Sequence, residues 1–214
     1  MGAVEHCIVV CSRGVSPRVL AQVEQPEQAL VIAADGGWLR CRELGLTPQL
    51  VVGDFDSAPR PDDTAQTKVY PSHKDETDCL LALQEGLDRG CTRFTLLGAT
   101  GGRLDHTLAG LQTLAWLEAR GASGVILDET TAIRLLAGPG RLELPRQAGY
   151  LSVFALDSVC TGVNLRGVEY PLHNHTLTVA YPLGISNHIT TPAGVVEVAQ
   201  GRLLVMTVTE EEAT

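Results

Sequence analysis

The sequence predicts an α/β protein: an open parallel sheet with helices on both faces, followed by an antiparallel β-sandwich. Three observations carry that expectation. Up to Asp128, short apolar runs alternate with segments of helical period. Those runs are continuously apolar rather than alternating, as befits strands covered on both faces. Beyond Asp128 the helical period disappears, and short β-rich runs follow, separated by Gly, Pro and Asn.

Taken in order, Cys7–Cys11 (CIVVC) is the first strand, Ser12–Pro17 a turn, and Arg18–Val23 a short helix. Ala29–Ala34 is a second buried strand running into Asp35-Gly36-Gly37, and Trp38–Leu44 a helix closed by Gly45. Leu50–Val52 leads into Gly53-Asp54-Phe55-Asp56-Ser57. Lys68–Pro71 reads as a fourth strand. Asp75–Asp88 reads as a helix with Leu80, Leu81, Leu83 and Leu87 toward the core. Phe94–Leu97 enters the loop Gly98–Arg103. Asp105–Arg120 is the strongest helix, with Leu108, Leu111, Leu114, Ala115 and Leu117 apolar, and Val125–Leu127 is a sixth strand. The later runs are Ile133–Leu136, Arg141–Leu144, Leu151–Ala155, Thr176–Ala180, Val195–Val198 and Leu203–Val208. The boundary between the Rossmann-like part and the β part falls near Glu129–Thr131, giving domains 1–129 and 130–214.

Composition narrows the class of function. The 214 residues suffice for one large core or two small ones, and 44% apolar with 19% charged residues reads as globular. A net charge of −9 and a pI near 5.1 argue against a nucleic-acid partner, because the protein's own field repels polyanions. A cationic substrate, or a metal that screens the repulsion, is compatible. No run of 18 apolar residues is present, so no membrane span is expected. The first residues read as a strand rather than a signal peptide. Six cysteines, at 7, 11, 41, 79, 91 and 160, fit no zinc spacing. They read as small buried residues in a reducing, cytoplasmic compartment.

Four polar clusters fall where strands of the first domain end: 34–37, 53–57, 74–78 and 98–106. In an open parallel sheet, ligands bind outside the carboxyl ends of the strands, so all four should face one crevice. Asp54 and Asp56, in an extended chain, point to the same side and can reach one hard cation, with Phe55 turned into the core. Asp75 reads as a helix N-cap, and Asp78, one turn in, as a metal or substrate carboxylate. Lys74 would pair with these acids or hold a phosphate. In the fourth cluster Gly98, Gly101 and Gly102 let backbone N–H groups approach a phosphate, and Arg103 adds a bidentate donor. Thr100 and His106, in that loop and helix start, read as nucleotide-binding, with His106 either holding a phosphate or capping the helix. Asp105 opposes an anion unless a metal lies between. His73, His173 and His175 read as surface residues.

ADGG (34–37), GDFDS (53–57), KDETD (74–78), GATGGRLDH (98–106) and Gly184-Ile185-Ser186-Asn187, in this order and spacing, resemble the thiamine pyrophosphokinase family over nearly the whole chain. LRGVEYPL (165–172) is similar to a hairpin of that family's β domain. The resemblance implies a kinase that moves the pyrophosphoryl group of ATP to the hydroxyl of thiamine, with Mg²⁺, releasing AMP. It implies a homodimer with thiamine in a cleft between subunits, and a β domain that serves thiamine binding and dimerisation. By motif position, Asp54, Asp56 and Asp78 would organise magnesium. Asp35 and Asp105 would border the phosphates, and Arg103 and Lys74 would contact them. Ser186 and Asn187 would approach thiamine. Asp78 or Asp105 would accept the hydroxyl proton. Three departures stand out: His188 replaces a frequent acid, Ser12-Arg13-Gly14 replaces a frequent Asn-Gly, and Leu203–Met206 lacks the aromatic of animal-type members. Two rival readings remain at this stage: a phosphohydrolase with Asp54 as nucleophile, and a module that binds nucleotide or thiamine without turnover.

Overall fold

His6–Val10, fully apolar after its first residue, forms strand β1 at the centre of a parallel sheet in a computed structural model of the chain. The structure describes residues 4–55, 66–71, 73 and 75–210. They fall into two compact units, Met1–Glu129 and Thr130–Thr214.

In the first unit, β2 (Leu30–Ala34), β3 (Leu50–Gly53), β4 (Gln66–Val69), β5 (Arg93–Leu97) and β6 (Ser123–Leu127) join β1. Every pairing is parallel, in the order β6-β5-β1-β2-β3-β4. The central strands are buried on both faces, which explains their unbroken apolar runs. Helices α1 (Pro17–Leu20), α2 (Gly37–Glu43), α3 (Asp78–Asp88) and α4 (Leu104–Glu118) connect them. Helix α2 packs on β1 and β2, while α3, which packs on β1, β2 and β3, also meets α4, which packs on β6.

Several boundaries differ from the sequence reading. The fourth strand lies at Gln66–Val69, because it pairs with Leu50–Gly53 and only the Tyr70 N–H carries the ladder one residue further. Asp75 does not cap α3. Thr77 does, with its Oγ1 accepting from the Leu80 N–H at 3.2 Å, so Asp78 is the first residue of the helix rather than one turn in. In α4 the buried face is Gly110, Thr113, Leu114 and Leu117, and Leu108 is 54% exposed.

The second unit is a sandwich of two antiparallel sheets. One is ordered β12-β9-β14-β7, from Gly184–Asn187, Tyr150–Ala155, Arg202–Val208 and Thr131–Ala137. The other is ordered β11-β10-β13-β8, from Leu172–Thr178, Val159–Arg166, Ala193–Val198 and Gly140–Pro145. Between them lie Leu144, Leu151, Val153, Val163, Leu165, Val196 and Leu203. The strand runs of the sequence reading include neither β10 nor β12. β10 shifts register between Cys160 and Val163 and again before Leu165, which breaks the two-residue alternation by which a strand is read.

Candidate active site

In a doubly wound sheet the ligand crevice opens where the strand order reverses. Here that point lies between β1 and β5. The chain leaves β1 through Cys11, whose N–H donates to the Leu97 carbonyl at 2.8 Å. It leaves β5 through Gly98, at φ +67°. A Cβ on Gly98 would lie 2.1 Å from the Arg13 carbonyl oxygen, so only glycine lets the two loops touch. The Arg13 side chain then runs beside Gly101 and Gly102: a Cβ on Gly102 would lie 3.4 Å from Arg13 Cδ.

The next strand ends pack as tightly. Asp35 sits at φ +46°, and its N–H donates to the Val52 carbonyl at 2.7 Å. A Cβ on Gly53 would lie 3.0 Å from Asp35 Cα, so the ADGG and GDFDS motifs meet backbone to backbone. Asp54 is half-buried. Phe55, also half-buried, takes φ +57°, so the chain turns at the last described residue of this motif. Asp56 and Lys74 lie outside the described residues.

These loops enclose a cavity of about 530 Å³. Asp35, Asp78, Gly101, Gly102, Arg103 and His106 line it; Asp54, Thr100 and Asp105 do not. Asp75, His73, His173 and His175 are exposed. Arg103 is exposed and forms a bidentate pair with Asp105, Nε to Oδ1 at 3.1 Å and a terminal nitrogen to Oδ2 at 2.6 Å. That hydrogen bond holds the Asp105 carboxyl below the usual carboxylate range. Its Oδ1 also accepts from the His106 N–H at 3.0 Å.

Sequence reasoning missed three features. Arg13 lines the cavity. Glu129 holds the first loop, accepting from the Ser16 N–H and, at 2.7 Å, from its hydroxyl. The Thr100 hydroxyl donates to Asp128. Applying the strand-end rule to the first and sixth strands would have found Arg13, three residues past β1, and Asp128 and Glu129, which directly follow β6.

In the second unit Ser186 is exposed at φ +58°, and its N–H donates to Ser152 Oγ at 3.1 Å. Asn187 is buried. Its Oδ1 accepts from the N–H groups of Tyr170 (3.0 Å) and His188 (2.9 Å), and its Nδ2 donates to the Tyr170 carbonyl at 2.8 Å. His188 Nδ1 contacts the Gly149 carbonyl at 2.9 Å, and the ring lies 4.8 Å from that of Tyr150.

Oxygen donors of the Asp35, Asp54 and Asp78 type suit a hard divalent cation. Among the described residues, no three His, Cys, Asp or Glu side chains group closely enough to hold a metal by themselves. No helix among them is long and apolar enough to cross a membrane.

A doubly wound unit whose switch point carries a glycine turn flanked by two arginines is built to handle the phosphates of a nucleotide, which is the work of a phosphotransferase. Comparison with known proteins gives the particular kind. The thiamin pyrophosphokinase catalytic domain matches residues 22–126, and the thiamin pyrophosphokinase vitamin B1 binding domain matches residues 141–203. The thiamine pyrophosphokinase of Bacillus subtilis is 29% identical over 192 residues, spanning 86% of this chain and 89% of that protein. Its crystal structure superimposes with a TM-score of 0.86 at 24% identity, covering 96% of this chain and 100% of that one. The crystal structure of an Enterococcus faecalis thiamin pyrophosphokinase family protein gives 0.80 at 29% identity, over 96% and 100%. The chain belongs to the thiamin pyrophosphokinase family, and it is an enzyme.

Proposed function

We propose that the chain transfers the pyrophosphoryl group of Mg²⁺-ATP to the primary hydroxyl of thiamine, giving thiamine diphosphate and AMP. The observation that carries this reading is the cavity at the switch point, lined by Arg13, Arg103 and the Gly101-Gly102 turn. In the reaction the thiamine oxygen bonds to the β-phosphorus, and the bond from that phosphorus to the α,β-bridging oxygen breaks. AMP leaves with the bridging oxygen.

The protein's part is positioning and charge neutralisation. Backbone N–H groups of the 98–102 loop and the start of α4 meet phosphate oxygens. Arg13 adds a guanidinium fixed along that loop, and Arg103 exchanges Asp105 for phosphate when nucleotide enters. Lys74 adds a further cation. Magnesium, held by Asp54, Asp56 and Asp78, would supply Lewis-acid charge to the phosphates. Asp35 would border them. In the second unit Ser186 would meet thiamine, while Asn187, whose side chain bonds the Tyr170 backbone, would shape that surface. We assign the working form as a cytoplasmic homodimer. The free cysteines support a reducing compartment, and the exposed Tyr181, Leu183 and Ile185 support a covered face beside Ser186.

Incubating the protein with ATP, Mg²⁺ and thiamine and separating the nucleotides tests the reaction. Thiamine-dependent AMP is expected; ADP in its place would rule the reaction out.

A further inference from the structure

Strands β1, β5 and β6 end level with one another. Val10 is opposite Leu97, and Leu97 is opposite Leu127, so the chain leaves all three at one height. The two residues that follow β6 are acids, Asp128 and Glu129. Neither lines the phosphate cavity, yet each holds one of the two loops that do. Glu129 holds the loop after β1: one carboxylate oxygen accepts from the Ser16 N–H, and the other accepts from the Ser16 hydroxyl at 2.7 Å. Because β5 lies between β6 and β1, this contact spans the end of β5, where the glycine turn departs. Asp128 holds that turn: its Oδ2 accepts from the Thr100 hydroxyl. Its Oδ1 accepts from the Glu129 N–H at 2.8 Å, which fixes the two acids relative to each other.

We propose that Asp128 and Glu129 are a pair of positioning residues for the nucleotide phosphates, Glu129 acting through Arg13 and Asp128 acting through the 98–102 turn. Arg13 lies between two tethers. Arg40 Nε donates to the Ser12 carbonyl at 3.1 Å on one side, and Glu129 grips Ser16 on the other. Without the second tether the loop keeps its start and loses its return, so the guanidinium is no longer fixed beside Gly101 and Gly102. Thr100 sits between Gly98 and those two glycines, so its bond to Asp128 sets the direction in which the turn's N–H groups face. Two carboxylates this near a phosphate site oppose the ligand's charge, and they do not touch it. Their return is orientation of the groups that do. Hydrogen bonds at an exposed position such as Glu129 add little to global stability, so their loss should appear in phosphate binding rather than in unfolding. This inference rests on the proposed function for its substrate.

The test is a set of double-mutant cycles on the full-length protein, read by thiamine-dependent AMP formation and by calorimetry with Mg²⁺-ATP. Glu129→Ala should lower kcat/KM for ATP and weaken ATP binding by about fivefold or more, with the unfolding midpoint held. Glu129→Gln, which can still accept from the Ser16 N–H, should recover most of that loss. In an Arg13→Ala background, Glu129→Ala should have no further effect, whereas Asp128→Ala should keep its effect. In a Thr100→Val background the pattern should reverse. Ser16→Ala, which removes the hydroxyl half of the contact from the other side, should give a smaller loss than Glu129→Ala and serves if the acid variants fail to fold. Wild-type ATP affinity in Glu129→Ala and Asp128→Ala, or losses that simply add between Glu129→Ala and Arg13→Ala, would overturn the proposal and leave the kinase reading intact. A wild type that binds ATP and makes no AMP would overturn the kinase reading, and the calorimetric cycles would still decide the positioning role. A protein that binds no ATP would overturn both.

Discussion

Glu85 is 4% exposed, yet it is charged. Burial pushes its carboxyl up, but hydrogen bonds from Lys68, Arg89 and Tyr70 together outweigh that and hold the pKa at about 2, against an ordinary 4.5. The Tyr70 hydroxyl donates at 2.8 Å. Lys68 and Tyr70 belong to an exposed edge strand and its first following residue, so this one carboxylate ties that edge to α3. A depressed folded-state pKa contributes stability that is complete above pH 4.5 and is lost as pH falls toward 2, worth about 3 kcal/mol across that window. Urea unfolding at pH 5 and pH 2 should therefore show a smaller difference in Glu85→Gln than in the wild type. Equal losses would show that the carboxylate is not the group responsible. At the same scale, Arg13→Ala should lower kcat/KM for ATP by about 10- to 100-fold while leaving the unfolding midpoint within experimental scatter. An unchanged kcat/KM would remove Arg13 from the phosphate site.

At the scale of elements, the site depends on how loops leave the strands. Gly98 combines φ +67° with a backbone oxygen 2.1 Å from where a Cβ would stand. Gly98→Ala should cost about 1–3 kcal/mol and depress activity more than the Arg13 change does, since it separates the first loop from the phosphate turn. Unfolding and steady-state kinetics on one preparation check both halves. Much of this was legible in the sequence. Continuous apolar runs such as Leu30–Ala34 marked strands buried on both faces, and the motifs after them marked the binding edge. Thr77 as the true cap was not legible, because Asp75 carries the more favoured capping side chain and only the backbone decides between them. Nor was the turn at Phe55, since an aromatic residue gives no signal for a left-handed conformation. The bulged β10 and the four-residue β12 escaped because register shifts and polar residues erase the alternation.

For the whole molecule, a net charge of −9 means that phosphates reach the site against the overall field, drawn by local cations and the proposed metal. The proposed homodimer carries a simple expectation: sedimentation should give about twice 22.8 kDa, and a monomer at all concentrations would contradict it. The most direct test of the site itself is hydrogen–deuterium exchange with and without Mg²⁺-ATP. Protection concentrated in segments 11–13, 34–37 and 98–106 is the predicted result. Protection confined to residues beyond Thr130, with those three segments unchanged, would contradict the placement of the nucleotide at the switch point of the parallel sheet.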